Sequence, residues 1–406
     1  MSDSRLIVSR ENRALNALRA VAALLVVVGH ARAYLFVARD EAPNDPITQG
    51  ILAILSMEHG AVLVFFVLSG YFVGGSSLRT MASRKFSWKG YGVSRLVRLW
   101  LVLVPAIVLT LALDWIGRTW LGASPRYSAA SDAVANTDLA TVVGNMFFLQ
   151  PIYVEVLGSN RALWSVSYEF AYYAAFPLLL VGFAFAKSWR SRVVCLAAGG
   201  AVLVFFGWGV AALFPVWLLG GLVAFYQDRI MEALRKVPYV LLLAARLVCV
   251  VLTLATMVAD KVAGGSPTTT PPTSYAVAVS AALLTALLLP DVHPRYKITD
   301  GLLTFTSKMA HSSFSLYAIH LPILSLIAVA LSPNQVTGSW QPTAVSWLAF
   351  VGVICVLVAA GWLFAQGTER HTDAVRRWVN ARTDRRWAVL RPRPVHAESA
   401  PVRGSD

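Results

Sequence analysis

The stretch RAVAALLVVVGH, Arg19 to His30, sets two ionisable residues at the ends of ten almost wholly apolar ones. The apolar character extends over residues 14–37. That is long enough for the ~20 residues with which a helix crosses the hydrocarbon core of a bilayer. In a helix, eleven steps of about 100° return to the same face within about 20°. The ~1.5 Å rise separates the two side chains by about 16 Å along the axis. Arg19 then lies near one membrane surface and His30 past the middle. Ionisable groups at that depth are functional candidates by default. The bland readings are an arginine snorkelling from a helix end and a hydrogen-bonded histidine in the core.

The rest of the chain fits a polytopic membrane protein. Of 406 residues 57% are hydrophobic and 14% charged, and the mean hydropathy is +0.62; soluble domains carry about 25% charged residues. Ten spans are expected, near 14–37, 50–75, 97–117, 164–186, 193–209, 211–227, 238–258, 274–290, 311–331 and 344–366. The fifth and sixth are short and almost fused, so either is a candidate re-entrant segment. No small-residue cleavage site follows the first run, which reads as an uncleaved anchor. Cys195, Cys249 and Cys355 each fall inside a separate run and read as buried thiols, with no disulfide, zinc site or redox centre.

The net charge of +14 has a simple source, because cytoplasmic loops collect Lys and Arg. With the N-terminus inside, the two termini and the even-numbered connections hold 28 of the 35 basic residues, and the outer connections hold six. Arg246 remains within the seventh span. The split places both termini in the cytoplasm and needs no nucleic-acid partner. Residues 1–13 read as a cytoplasmic segment, 14–370 as the transmembrane domain, and 371–406 as a basic, largely disordered tail. The longest outer segment, Arg118 to Arg161, contains the helix-like TVVGNMFFLQ, and a loop of that length is often functional. GGSPTTTPPTS reads as a flexible connector.

Four more phrases carry polar groups into apolar surroundings. In LWSVSYEFAYYAAFP, residues 163–177, Glu169 is expected at a depth similar to His30. A carboxylate there needs a partner or a cavity, and pairing with His30 would fix one imidazole tautomer. Trp164, Tyr168, Tyr172 and Tyr173 also read as an interfacial aromatic belt. In MEHGAVLVFFVLSGYFVGG, residues 57–75, Ser69, Gly70, Gly74 and Gly75 permit close helix approach, and Ser69 reads as packing more than chemistry. In SSFSLYAIHLPIL, residues 312–324, His320 is mid-membrane, two residues before Pro322. In SRLVRLW, Arg95 and Arg98 share a helix face at the level of Arg19. Three arginines at one level can hold phosphates through bidentate hydrogen bonds, or simply record the positive-inside bias.

Taken in order, these phrases resemble the membrane-bound acyltransferase 3 family of multi-spanning O-acyltransferases. The resemblance rests on the Arg19–His30 spacing, FFVLSGYF, the Arg95–Arg98 pair, LWSVSYEFAYYAAFP and SFSLYAIHLP, across residues 15–370. Ala171 stands where an aromatic is common, and Tyr71 replaces Phe. The resemblance implies an all-α bundle in a bacterial cytoplasmic membrane. It implies transfer of acetyl from acetyl-CoA to hydroxyls of surface polysaccharides, lipid-linked sugars or similar acceptors, with no permanently bound cofactor. Some members carry an extra C-terminal hydrolase-like domain, and the chain is expected to lack one.

On this reading Arg19, Arg95 and Arg98 dock the nucleotide end of acyl-CoA, and the thioester arrives near His30. His30 acts as general base, with Glu169 orienting it as the third member of a triad does. Ser69, Trp164, Ser167, Tyr168 and His320 are candidates for the acceptor or supporting site, and no metal site is expected. A covalent acyl intermediate on His30 or a serine is the second chemistry. A proton-coupled transporter or flippase of the same glycan is the alternative class. Cysteine labelling from outside intact cells should reach a reporter placed near Ser266 and miss one near Ser405; a labelled tail overturns the topology.

Overall fold

The structure is a computed structural model. It describes residues 12–121, 124–127, 131, 135–266, 269–290, 301, 304, 306, 309–332 and 338–390, with side chains to Arg382 in the last segment. Outside the described residues lie Met1 to Glu11, the loop basics Arg295, Lys297 and Lys308, and residues 391–406 of the expected tail.

Every regular element among the described residues is helical. In chain order they are α1 (Arg13–Leu35), α2 (Pro46–Ile54), α3 (Glu58–Ser69), α4 (Gly75–Ala82), α5 (Trp88–Trp120), α6 (Leu139–Met146) and α7 (Trp164–Leu180). There follow α8 (Trp189–Phe205), α9 (Gly207–Phe225), α10 (Gln227–Arg235), α11 (Tyr239–Val262), α12 (Pro272–Leu287), α13 (Ser313–Leu331), α14 (Ala344–Gly367) and α15 (Thr372–Leu390). Among the described residues, eight segments are long and apolar enough to cross a membrane. The other two expected spans, α8 and α12, have 17 and 16 residues. The short pair is therefore the fifth and eighth rather than the fifth and sixth. α8 and α9 are parted by Phe206, after which Gly207 turns the chain at φ +84°, a conformation glycine adopts without strain. α12 stops early where Arg246 donates to the Leu287 and Pro290 carbonyls at 2.9 and 3.1 Å. That bond gives the seventh span's arginine its place, at carbonyls a helix end leaves open.

Helix α1 starts where Asn12 accepts from the Ala14 and Leu15 amides, a side-chain cap. Its amide also donates to the Leu288 and Leu289 carbonyls, tying α1 to the end of α12. α5 begins nine residues before the expected third span, so Arg95 as well as Arg98 lies within it. Thr372–Leu390, part of the segment expected as a largely disordered tail, forms α15, which packs against α5. Of the cysteines expected to be buried, only Cys249 is; Cys195 is half-buried and Cys355 faces out of the bundle.

Helix α3 is the hub. Nine of its twelve residues are buried, and α1, α7, α9, α11 and α12 all pack on it. It continues through a π-helical turn, Gly70–Gly74. There α3 meets α9 backbone to backbone. A Cβ on Gly70 would fall 1.9 Å from the Trp217 carbonyl oxygen, and one on Gly220 would fall 1.8 Å from that of Val67. Small residues permit such approach where apolar area gives no drive for helices to associate in lipid. Gly220→Val should therefore push α9 off α3, costing about 1–3 kcal/mol or more for forced overpacking, read as a lowered melting temperature in detergent; a wild-type melt would show that the crossing is not tight.

Candidate active site

Residues of α1, α4, α5, α10, α11, α14 and α15, with His311 and Ser312 just ahead of α13, enclose a vestibule of about 1770 Å³. Six arginines line it: Arg19, Arg79, Arg95, Arg98, Arg235 and Arg370. Arg19, Arg95 and Arg98 are half-buried and held by the fold, whereas Arg79, Arg235 and Arg370 are exposed. Arg19 donates to the Ala310 carbonyl at 2.6 Å. Arg95 donates to Ser76 Oγ at 3.3 Å and lies over the rings of Tyr91 and Tyr173. Glu369 sets a negative charge beside Arg98 and Arg19. It also accepts from the amide and hydroxyl of Ser315, in the first turn of α13, where a carboxylate is favoured.

Arg19, Arg98 and Phe72 also line a narrower pocket of about 70 Å³ leading inward. Its apolar wall includes Val62, Phe65, Phe66 and Phe314, and its polar wall includes Ser69, Ser165, Glu169, Tyr173 and Tyr317. The hydroxyls of Ser69, at 2.8 Å, and Tyr173 both donate to Glu169 Oε1. Trp217 Nε1 donates to Ser69 Oγ at 3.2 Å, so the α3–α9 crossing reaches this carboxylate directly. The far end is closed by Tyr317. Its hydroxyl donates to the Ala162 carbonyl at 2.7 Å and accepts from Ser165 Oγ at 2.6 Å.

One helical turn beyond Tyr317 stands a pair of histidines. His320 Nε2 and His30 Nδ1 are 3.1 Å apart, and His320 Nδ1 is 2.8 Å from the Tyr317 carbonyl oxygen. Pro322 explains part of this turn. It has no N–H, so the Ala318 carbonyl loses its helical donor. Asn160, in the long outer segment, donates to that carbonyl instead, at 2.8 Å. The outer segment, with its expected helical piece realised as α6, thus clamps α13 at the histidine turn. The outer ends of α3 and α11 add a second polar group: His59 to Asp260 at 2.8 Å, and Lys261 to Glu58 at 2.5 Å.

The expected shared face of Arg19 and His30 is present, since both side chains reach the α13 segment. The expected pairing of Glu169 with His30 is not. Glu169 bonds Ser69 and Tyr173 on the near side of Tyr317, and the partner of His30 is His320. The equal-depth estimate for Glu169 fails because α7 enters through the Arg161–Leu163 turn and its Ser165 is already level with Tyr317. Ser69, expected as packing, is a pocket hydroxyl. Ser167 is not part of the pocket; it is fully buried and donates to the Gln150 and Trp164 carbonyls. Trp164 and Tyr168 also lie outside the pocket lining. With Tyr172 and Tyr173 they are at most 8% exposed; Trp164, Tyr168 and Tyr172 pack around Phe66 and Trp217, and Tyr173 lines the pocket, rather than forming an interfacial belt.

A family model described as Acyltransferase domain, of the acyltransferase 3 family, matches residues 12–366. The chain belongs to that family. It is a membrane acyltransferase. No match was found among curated proteins or among solved structures. The sequence reading of this acyltransferase missed Arg79, Arg235, Arg370, Glu369, Tyr173 and Tyr317 as site-lining groups. The arginines were counted only as loop charge, and a tyrosine in an apolar helix carries no sign of its hydroxyl's direction.

The geometry separates two roles for Glu169. Glu169→Gln keeps an acceptor for both hydroxyls and should melt within a few degrees of wild type. Glu169→Ala strands the Ser69 and Tyr173 hydroxyls, at about 1–3 kcal/mol for each buried group left unpaired, and should melt distinctly earlier. Equal melting of the two variants, by fluorescence in detergent, overturns the network.

Proposed function

We propose that this acyltransferase moves an acetyl group from cytoplasmic acetyl-CoA to a hydroxyl of a surface polysaccharide or lipid-linked sugar, in a bacterial cytoplasmic membrane. The observation that carries the reading is the continuity of the arginine vestibule with the narrow pocket through Arg19 and Arg98. Coenzyme A has the matching form, with phosphates at one end and a thin arm at the other. Arginine forks suit the phosphates. The arm runs past Glu169 and Ser69, polar groups suited to its amides, toward Tyr317. The ~16 Å from Arg19 to His30 is of the same order as its reach.

The chemistry at the far end is general-base catalysis. The acceptor hydroxyl gives its proton to a nitrogen of His30 as its oxygen attacks the thioester carbonyl carbon. The carbon–sulfur bond then breaks, and the departing thiolate takes the proton back from His30. The products are the ester and free coenzyme A, and no metal or redox partner is required. In this scheme Glu169 is a group of the donor pocket and not the orienting member of a triad.

A second chemistry is favoured by one contact, the 2.8 Å hydrogen bond from Ser69 Oγ to Glu169. That serine could take the acyl group first, with Glu169 receiving its proton. An acetyl mass increment on the Ser69 peptide after incubation with acetyl-CoA would select this route.

The reading is tested by coenzyme A titration together with transfer of labelled acetyl to native membranes. Arg98→Ala should weaken coenzyme A binding by about 10- to 150-fold, the worth of a charge-assisted hydrogen bond of roughly 1.5–3 kcal/mol, and Arg19→Ala should do likewise. His30→Ala should bind coenzyme A as wild type does and lose turnover. Transfer retained by His30→Ala, or coenzyme A failing to stabilise the wild-type protein in a thermal melt, overturns the proposal; the latter outcome favours a glycan transporter.

A further inference from the structure

We infer that His320 is a positioning residue that fixes the tautomer of His30 and thereby selects the nitrogen that acts as base. The inference rests on the reading of His30 as the general base and adds the group that prepares it. It follows from counting protons along one chain of hydrogen bonds. The Tyr317 carbonyl oxygen can only accept, so His320 Nδ1, 2.8 Å away, must carry a hydrogen. His320 is fully buried, and its hydrogen bonds go to the Tyr317 and Leu316 carbonyls and to His30, with no carboxylate among them. A cation there would be a buried charge without a counter-charge, which is strongly unfavourable. His320 is therefore neutral, and with Nδ1 protonated its Nε2 is a bare lone pair. That lone pair faces His30 Nδ1 at 3.1 Å. The hydrogen between them then sits on His30 Nδ1, and in the neutral ring His30 Nε2 is left unprotonated; the Val26 carbonyl, which also hydrogen-bonds the His30 ring, can only accept and so adds to the need for a ring hydrogen.

Free imidazole divides its hydrogen between the two nitrogens, so this assignment has a consequence. His320 does for His30 what a carboxylate does in a serine-hydrolase triad, without carrying a charge of its own. When His30 Nε2 takes the acceptor's proton, the imidazolium that forms donates from Nδ1 to His320, and that hydrogen bond becomes charge-assisted and stronger. A neutral orienter suits this depth, because a buried carboxylate would need its own compensation while the site is idle.

The surrounding fold holds His320 for the task. The Ala318 carbonyl released by Pro322 is taken by Asn160, and the Tyr317 hydroxyl is tied to Ala162. Both bonds lie within one turn of His320 and fix its helix against the outer segment. The pairing of a proline with a histidine two residues earlier thus places the ring as well as loosening the backbone.

The experiment combines nitrogen NMR with kinetics on the full chain in detergent. In wild type labelled with ¹⁵N-histidine, His30 and His320 should both show the tautomer protonated at Nδ1, the resonances assigned by loss in the His30→Gln and His320→Gln variants. This readout does not depend on acyl transfer, so it separates failure of the inference from failure of the proposed reaction. His320→Leu removes the acceptor and should lower kcat for labelled-acetyl transfer on the order of 10²- to 10⁴-fold, with KM for acetyl-CoA within about twofold. His320→Gln returns an amide oxygen that can accept from His30 Nδ1 and should recover most of that loss. A wild-type His30 protonated at Nε2 overturns the inference whatever the variants do. So does a His320→Leu protein that turns over like wild type, or a His320→Gln protein that folds, binds coenzyme A and is as slow as His320→Leu.

Discussion

The contact of α3 with α9 at Gly70 and Gly220 leaves no room for even one methyl on either side. In hydrocarbon there is no solvent to drive two apolar helices together, so van der Waals fit and hydrogen bonds must do it. The crossing places Trp217 against Ser69, Ser69 against Glu169, and Glu169 against Tyr173. Each of these polar groups is satisfied by the next, as an apolar surrounding demands. The pocket wall is therefore a direct product of two glycines.

From that crossing the molecule divides along the membrane normal. On one side of Tyr317 lie the arginines, Glu369 and the Glu169 network. On the other side lie the His30–His320 pair and, on the outer ends of α3 and α11, the Glu58–Lys261 and His59–Asp260 pairs. The tyrosine hydroxyl, bonded to both Ser165 and Ala162, closes the passage between the halves. A donor from one side and an acceptor from the other would meet at this layer. Excluding water from it would also protect a thioester from hydrolysis.

Charge is arranged by the same logic. Six arginines facing one vestibule repel each other, and the fold moderates this with carbonyls, aromatic faces and carboxylates, Glu369 foremost. The vestibule carries an excess of positive charge, which under the proposed function would draw in a phosphate-bearing donor.

The sequence by itself determined the membrane class, the approximate position of most apolar helices, the shared face of Arg19 and His30, and the family. These depend on composition and on period along one chain, and both survive without knowledge of neighbours. It also exposed most polar groups that matter, because a charge inside an apolar run is conspicuous. What only the tertiary structure decided is which of these groups meet. Depth along a helix was estimated from where a span begins, and the turn ahead of α7 shifted Glu169 away from His30 and toward Ser69. The partner of His30 came from α13, 290 positions away. Helix rotation and crossing angle set such pairings, through contacts as local as Gly70 on Trp217, and no periodicity in a single chain records them.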